Sequence, residues 1–209
     1  MTTTRRLPWS LGALALSACS VFGESNVEKA GYETLAQSNP YEVRRYDDLV
    51  LVSTVATGPY GDASDAAFRR LFDYISGENA TREKVEMTAP VVQERKGEKV
   101  AMTAPVLQEA LAEGWKMSFV LPASYTLATA PAPTDPAVRL ESRPGEKVAV
   151  RRFSGLVGDR DINEEAAELR RWIELNGYEA ASDEVRVARY NPPWTIPFLR
   201  RNEILIAIR

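Results

Sequence analysis

The chain has 209 residues, of which 44% are hydrophobic, so it is long enough to bury the core of one well-packed domain. Its formal net charge of -3 at pH 7 is mildly acidic, which argues against a nucleic-acid partner. The sequence contains no histidine, which excludes triads with a histidine base, histidine-based zinc sites and haem held by a proximal histidine.

The first 18 residues have the pattern of a targeting segment. Arg5 and Arg6 precede an apolar run, residues 7–16, which is too short to span a bilayer and ends in small residues. Residues 16–19, Leu-Ser-Ala-Cys, resemble the bacterial lipobox, in which the cysteine is lipidated and the chain is cut just before it. We therefore predict a signal peptide over residues 1–18 and a lipid anchor on Cys19, the single cysteine. The alternatives are an ordinary secretory signal with a cysteine there by chance, or a buried start of the domain.

The next stretch predicts a tether followed by a β-hairpin. Residues 19–39 are mostly small and polar with little periodicity, which is typical of a linker between a membrane and a folded domain, here residues 40–209. Residues 41–46 and 49–57 are rich in β-branched and aromatic side chains and are separated by two aspartates. This pattern predicts two strands paired as a hairpin.

A first helix is predicted from Asp62 to Ser76. Ser64 or Asp65 would cap its start, and Gly77 would end it. The apolar side chains recur at helical spacing, as Phe68, Leu71, Phe72 and Ile75.

A frame of twelve residues then occurs twice. Residues 83–94 are EKVEMTAPVVQE and residues 98–109 are EKVAMTAPVLQE. Because a residue that precedes proline avoids helical geometry, each frame predicts extended chain interrupted at a proline. The glycine-containing link between them predicts a turn, and hence two similar strands.

The rest of the chain repeats the order of the first half. Strands are predicted at residues 115–121, 138–141, 148–153, 185–190 and 203–208, and a proline-rich crossing loop at 128–136. A second helix starts at Asp161 or Asn163, runs through Leu175 and ends at Gly177. Residues 49–77 and 148–177 both give a strand, a glycine-containing loop, a helix and a glycine. We predict an α+β fold in which two pseudo-symmetric β-α repeats form a curved antiparallel sheet or distorted barrel with two main helices.

Five segments together resemble the SOUL/haem-binding protein family. They are the duplicated Met-Thr-Ala-Pro-Val frame, residues 115–122, 130–136 and 148–155, and the segment RYNPPWTIPFLRRNE at 189–203. They occur in the order shown by that family, and the similarity covers about residues 41–209. It implies a distorted barrel or sheet of two repeats flanked by two helices, and non-covalent binding of haem. Some members are described with an axial histidine, which this chain lacks, and others with a hydrophobic groove between the first helix and the loop before the last strand.

The resemblance implies a ligand site that can be assigned to residues of this chain. The first helix corresponds to residues 65–76 and the loop to residues 190–201. Porphyrin is a flat apolar ring with two carboxylates, so its site needs an apolar slot and cations at the rim. The candidate cations are Arg69, Arg70, Arg200 and Arg201, and the candidates for the slot are Phe72, Ile75, Trp194 and Phe198. Core packing is the alternative role for the first two slot residues, and a solvated surface is the alternative for the arginines.

Three further residues have two interpretations each. Met87 and Met102, in the duplicated frames, would be either haem ligands through the thioether sulfur or flexible core side chains, and the core is the favoured role. Glu203 precedes an apolar strand and would be either an acid-base group of an enzyme or the partner of Arg200 or Arg201 in an ion pair, which is favoured.

These observations predict a lipid-anchored protein of the bacterial cell envelope that binds haem or a related tetrapyrrole as a carrier, scavenger or buffer. Ser20, directly after the cysteine, would suit sorting to the outer membrane, with the domain facing the periplasm. Two alternatives are a pocket for another amphipathic small molecule and a glutamate-dependent enzyme acting on a tetrapyrrole or a small electrophile.

Overall fold

A computed structural model describes residues 27–81, 97–192 and 194–209. Two helices of 17 residues each, α1 (Tyr60–Ser76) and α2 (Asp159–Leu175), pack on one face of a large curled sheet. The strands are β1 (Glu28–Lys29), β2 (Tyr32–Ser38), β3 (Tyr41–Tyr46), β4 (Leu49–Ala56), β5 (Asn79–Ala80), β6 (Thr103–Leu111), β7 (Gly114–Val120), β8 (Ala132–Pro133), β9 (Val138–Arg143), β10 (Lys147–Phe153), β11 (Arg186–Arg189) and β12 (Asn202–Ala207). A single turn of 3-10 helix, Pro197–Leu199, lies in the loop between β11 and β12.

The order of the strands shows the two predicted repeats. The main path of the sheet is β2-β3-β10-β12-β11-β6-β7-β4-β9. One half contains β4, α1, β6 and β7, and the other contains β10, α2, β11 and β12. The halves meet where β6 and β11 pair antiparallel, and the strand order is mirrored about that pair. The α+β fold with two related halves and a curled, half-barrel sheet is confirmed.

The predicted hairpin between β3 and β4 is wrong. The strand that precedes each repeat, β3 or β9, pairs with a strand of the other repeat. β3 pairs with β10 and β2, whereas β4 pairs with β7 and β9. The two connections cross each other at Asp48 and Gly145. The Asp48 carboxylate accepts a hydrogen bond of 2.7 Å from the Gly145 N–H, and a Cβ on Gly145 would lie 2.6 Å from the carbonyl oxygen of Tyr46. This crossing therefore requires glycine.

The start of the folded domain lies earlier than predicted. Tyr32–Ser38 forms an edge strand against β3, and Glu28–Lys29 pairs in parallel with the start of β6. Most of residues 28–38, which lie inside the segment predicted as a tether, therefore belong to the sheet. The strand β2 is mostly exposed, so its sequence lacks the alternation of apolar and polar residues that marks a half-buried strand.

Both helices are found near their predicted positions. The helix α1 begins at Tyr60, and its start has Pro59 and no side-chain cap, so the predicted cap at Ser64 or Asp65 is wrong. Ser64 lies inside the helix, where its hydroxyl accepts a hydrogen bond from Gln108. Gly77 ends α1 with φ of 115°, as expected for a helix stop.

The two faces of the sheet have different cores. The helix face is strongly apolar and includes Leu71, Phe119, Leu169, Ile173 and Ile204. The concave face has a smaller apolar cluster, with charged side chains among the buried groups. Among the described residues, no helix has the length and apolar character needed to cross a membrane.

Only one copy of the duplicated frame lies in the described residues. Residues 98–109 lead into β6, with Val100 buried in the helix-side core and Met102 half-buried against it. Residues 83–94, with Met87, lie outside the described residues.

Candidate functional site

The loop between β11 and β12 presents apolar side chains to solvent. Trp194 is 81% exposed and Phe198 is 71% exposed, and Ile196 and Leu199 are also exposed. The Gly155 N–H donates to the Pro197 carbonyl oxygen at 2.9 Å, so this loop lies beside the connection from β10 to α2. A cluster of exposed large apolar groups is unusual on a protein surface and indicates a contact or ligand site.

The predicted residues of α1 have different environments. Phe72 is half exposed, and its ring stacks on that of Phe68 with centroids 6.0 Å apart. Ile75 is buried and packs in the helix-side core. Arg70 contacts the first half of the sheet, where it donates to Thr54 and Val55.

The two cations of α1 differ in their exposure and partners. Arg69 is exposed and its Nε donates to the Asp65 carbonyl oxygen at 3.3 Å. The Nε of Arg70 lies 3.8 Å from an oxygen of Asp135.

The end of α1 and the apolar loop lie at one edge of the sheet. The Val100 N–H donates to the Ile75 carbonyl oxygen at 2.8 Å, which places the end of α1 beside the chain that leads into β6. The strand β11 ends opposite this same part of β6, because Arg189 pairs with Val106. We call this the loop edge, where β6 begins and β11 ends. α1 lies over β4 and β7, so the helix and the loop sit on opposite sides of β6.

The two arginines of the loop already have partners within the protein. The Nε of Arg200 donates to the Thr195 carbonyl oxygen at 2.8 Å, which fixes the return of the loop. Arg201 donates to Glu203 at 2.9 and 2.6 Å, and its guanidinium lies 4.1 Å from the centre of the Tyr190 ring. Its side chain is a quarter exposed, so Arg201 lies between solvent and the concave face.

A buried charge network occupies the concave face beside the loop. Glu203 accepts two hydrogen bonds from Arg44, at 2.7 and 2.9 Å, and one from the Tyr190 hydroxyl at 2.8 Å. The Arg44 guanidinium also binds Glu42 at 2.8 Å. Both Arg44 and Glu203 are completely buried. Such a pair survives burial only because each group is surrounded by partners.

The pKa values in this network follow from burial and pairing. Burial of the Glu203 carboxyl acts to raise its pKa, but the hydrogen bond and charge of Arg44, the charge of Arg201 and the Tyr190 hydroxyl outweigh it and lower the pKa. Burial, followed by the negative charge of Glu203, holds the pKa of Tyr190 well above its usual value. Tyr190 therefore remains a neutral donor and Glu203 remains ionised.

Glu203 is thus an ion-pair residue. The ion pair predicted with Arg200 or Arg201 is confirmed for Arg201. The partner that sequence reasoning missed is Arg44, 159 positions away in the chain. A buried carboxylate whose two oxygens both accept charged hydrogen bonds is poorly suited to receive a proton from a substrate.

Metal binding has no support among the described residues, which contain no group of three or more histidine, cysteine, aspartate or glutamate side chains placed to hold an ion. Met102 packs against the helix-side core, in keeping with its favoured role.

The fold and the loop edge define a two-repeat α+β domain with an open apolar surface, and comparisons with known proteins identify its family. The sequence model of the SOUL heme-binding protein family matches residues 27–207. The chain is 30% identical to heme-binding protein 1 of Xenopus tropicalis over 188 residues, 88% of this chain and 93% of the relative. It is 27% identical to heme-binding protein 2 of Homo sapiens over 184 residues, 84% and 83% of the two chains. The chain belongs to the SOUL heme-binding protein family, and this membership supports haem or another porphyrin as its bound ligand.

One solved structure extends the comparison of folds. The C-terminal domain of EcmrR superposes with a TM-score of 0.55 at 11% identity, over 85% of this chain and 98% of that domain. At this identity the similarity concerns the fold alone.

Proposed function

We propose that this protein binds haem or a related tetrapyrrole non-covalently, as a carrier, scavenger or buffer, at the loop edge. The observation that carries the proposal is the exposure of Trp194 and Phe198 on a loop stiffened by proline, beside two arginines. Membership in a heme-binding family supplies the class of ligand.

The apolar part of the site would come from the loop and the end of α1. Aromatic rings stack on flat ring systems and gain by removing apolar area from water. Trp194 and Phe198 stand on one side of β6, and the half-exposed Phe72 and Phe68 stand on the other. Ile75 would support this surface from within the core and not touch the ligand, because it is buried.

The positive groups would interact with the propionates of the ring. Arg200 and Arg201 follow the apolar side chains directly, and Arg69 is exposed on α1. Arg201 is already bound to Glu203, so its contribution to an anionic ligand is smaller than that of an arginine without a carboxylate partner. Of the predicted cations, Arg70 is the least suited, because it is engaged with β4 and Asp135.

The absence of histidine determines how haem would be held. The whole sequence offers no imidazole to the iron, so binding would rest on the ring and its carboxylates. This mode suits transport or buffering, in which the ligand must be released. It does not supply the strong axial ligand that redox haem proteins use.

A hemin titration of the full chain tests the proposal. We expect a saturable shift of the Soret band and quenching of tryptophan fluorescence at micromolar hemin, since Trp194 would lie against the porphyrin. A linear change without saturation would contradict it. Displacement of a bound lipophilic dye by hemin would show that both occupy one site, whereas dye binding without hemin binding would favour a pocket for another amphipathic molecule.

The proposed location is the bacterial cell envelope, with lipid on Cys19 as the anchor and the periplasmic side of the outer membrane as the site. The support is the sequence of residues 1–20, with its basic start, its apolar run and its lipobox-like end. Removal of residues 1–18 would leave 24 basic and 29 acidic groups, a net charge of about -5.

A further inference from the structure

The exposed apolar residues of the loop edge form a larger patch than a ligand slot needs. Leu156, in the connection to α2, is 65% exposed. Its neighbour Gly155 is hydrogen-bonded to the loop through Pro197 and accepts a hydrogen bond from Asn202. We call the exposed side chains at this place the edge patch, which consists of Leu156, Trp194, Ile196, Phe198 and Leu199. Five of the eleven exposed large apolar side chains found among the described residues belong to it.

The described chain begins at the same edge. The strand β1 runs parallel to β6, with Glu28 opposite Thr103 and Lys29 opposite Ala104. Glu28 therefore lies where β6 begins, and the apolar loop emerges there too, because β11 runs antiparallel to β6. The edge patch and the first described residues of the chain therefore lie at the same edge of the sheet.

The distance from the domain to Cys19 is short. Only eight positions separate Cys19 from Val27, which extended chain spans in no more than about 30 Å. The predicted tether of residues 19–39 would have allowed the domain to turn freely above a membrane. With the sheet beginning at Glu28, an anchor at Cys19 would keep the loop edge close to the bilayer.

We infer that in the ligand-free protein the edge patch docks on the surface of a phospholipid bilayer, with Trp194, Phe198 and Leu156 inserted among the headgroups and upper acyl chains. Trp and Phe side chains on an exposed loop are suited to this interface, because they combine a large apolar area with a compact shape. The inference uses the proposed lipid anchor only to orient the domain, and it does not depend on haem binding.

Apolar burial drives this docking, and charge contributes little. Arg201 is paired with Glu203, and the first turn of α2 carries Asp159 and Asp161 beside Arg160, which is paired with Glu164. The whole chain is also acidic. Attraction to anionic lipid is therefore weak. Docking is expected on zwitterionic phosphatidylcholine and to change little with salt, unlike the binding of a basic protein to an acidic membrane.

Quenching of Trp194 by brominated lipid provides a direct test. The protein is the full chain with Trp9→Phe and Cys19→Ser, which removes the N-terminal tryptophan and the lipid. The remaining tryptophans besides Trp194 are Trp115, which is buried, and Trp172, which is half-buried and stacks on Tyr41. Vesicles of phosphatidylcholine with brominated acyl chains are expected to quench a component of the emission that disappears in a further Trp194→Phe variant.

A second pair of variants separates docking from folding and from haem binding. The double variant Leu156→Ser, Leu199→Ser is expected to bind the vesicles about tenfold more weakly, as measured by the quenching of Trp194. The control is Leu175→Ser, which removes a leucine that is more exposed, at 79%, and lies at the far end of α2. Hemin titration of the Leu156→Ser single variant is expected to match the parent, so loss of docking and loss of haem binding are distinguished.

If bromolipid vesicles leave the Trp194 component unquenched, the edge patch does not enter the bilayer, whether or not the chain sediments with vesicles. If Leu175→Ser reduces the quenching as much as the double variant does, adsorption is nonspecific. Equal quenching in all variants would place the contact outside Leu156 and Leu199 and would contradict docking by this patch.

Discussion

Arg44 and Glu203 form a two-hydrogen-bond ion pair, at 2.7 and 2.9 Å, between β3 and β12, although 159 positions separate them in the sequence. Neither side chain has any exposure to solvent. The strands that carry them are separated by β10, so this pair bridges across an intervening strand of the concave face. Glu203 also accepts hydrogen bonds from Tyr190, at the start of the loop that carries Trp194 and Phe198, and from Arg201, at its end. The pair therefore holds both ends of this loop. The charge network therefore supports the proposed site and does not itself perform chemistry.

Removal of Arg44 is expected to destabilise the protein strongly. In Arg44→Met the Glu203 carboxylate would stay buried with fewer partners, and loss of one member of a buried pair costs about 3–5 kcal/mol. Denaturant unfolding gives the change in the free energy of unfolding. The neighbouring Arg45 provides the control, because it forms an exposed pair with Glu33, so Arg45→Met should cost less than about 1 kcal/mol. Similar losses in the two variants would contradict this account of the network.

The stability of the protein should fall at acid pH because of Glu203. Its pKa is lowered in the folded protein, so the stabilisation is present above the unfolded value of about 4.3 and is lost as the pH falls through the folded pKa. The measurement is the free energy of unfolding from neutral pH to below pH 4. Glu203→Gln should be less stable at neutral pH and should lose stability less steeply on acidification. A Gln variant with the acid dependence of the parent would show that other carboxyls are responsible.

The sequence predicted local structure well and strand partners poorly, and Arg44 shows why. The helix α1 and the strands β3, β4 and β7 follow from short patterns of apolar residues. Nothing in residues 41–57 shows that β3 pairs with β10, because that pairing depends on contacts with the other half of the chain. Arg44 alternates with the buried Val43, so it had the appearance of a surface residue on a half-buried strand. The one available signal was a glutamate, Glu203, at the start of an apolar strand, which requires a buried cation.

The sequence predicts only some features of the candidate site, because the others depend on contacts with distant parts of the chain. An aromatic loop between prolines is visible in the sequence, because prolines prevent the segment from continuing a central strand. The exposure of its aromatic side chains is seen only in the structure. The environments of Arg70 and Ile75 depend on what packs against α1, which helical periodicity does not specify. The mostly exposed strand β2 escaped prediction because it lacks an apolar face.

Metal-free protoporphyrin should bind about as tightly as hemin. The chain has no histidine, so the iron contributes no imidazole bond, and the affinities are expected to agree within about threefold. Parallel titrations monitored by tryptophan quenching provide the comparison. If hemin binds more than about tenfold tighter, a side chain such as a methionine or tyrosine coordinates the iron, and the mode of binding proposed here is wrong.

Processing of the N-terminus should require Cys19. In a bacterial host, Cys19→Ser or treatment with globomycin is expected to leave a precursor that retains its first 18 residues, because cleavage by the lipoprotein peptidase follows lipidation. Mass spectrometry of the membrane fraction measures this. Ser25→Ala, outside the lipobox-like sequence, is the matched control and should be processed normally. A soluble, cleaved Cys19→Ser protein would contradict the anchor.

The affinity for hemin of the double variant Trp194→Ser, Phe198→Ser shows whether the ligand binds at the loop edge. The Kd is expected to rise at least about tenfold relative to the parent, because two exposed aromatic rings that would contact the porphyrin are lost. Leu175→Ser, at the opposite edge, is expected to leave the Kd unchanged. Saturable hemin binding of unchanged affinity in the double variant would show that the ligand site lies elsewhere than the loop edge.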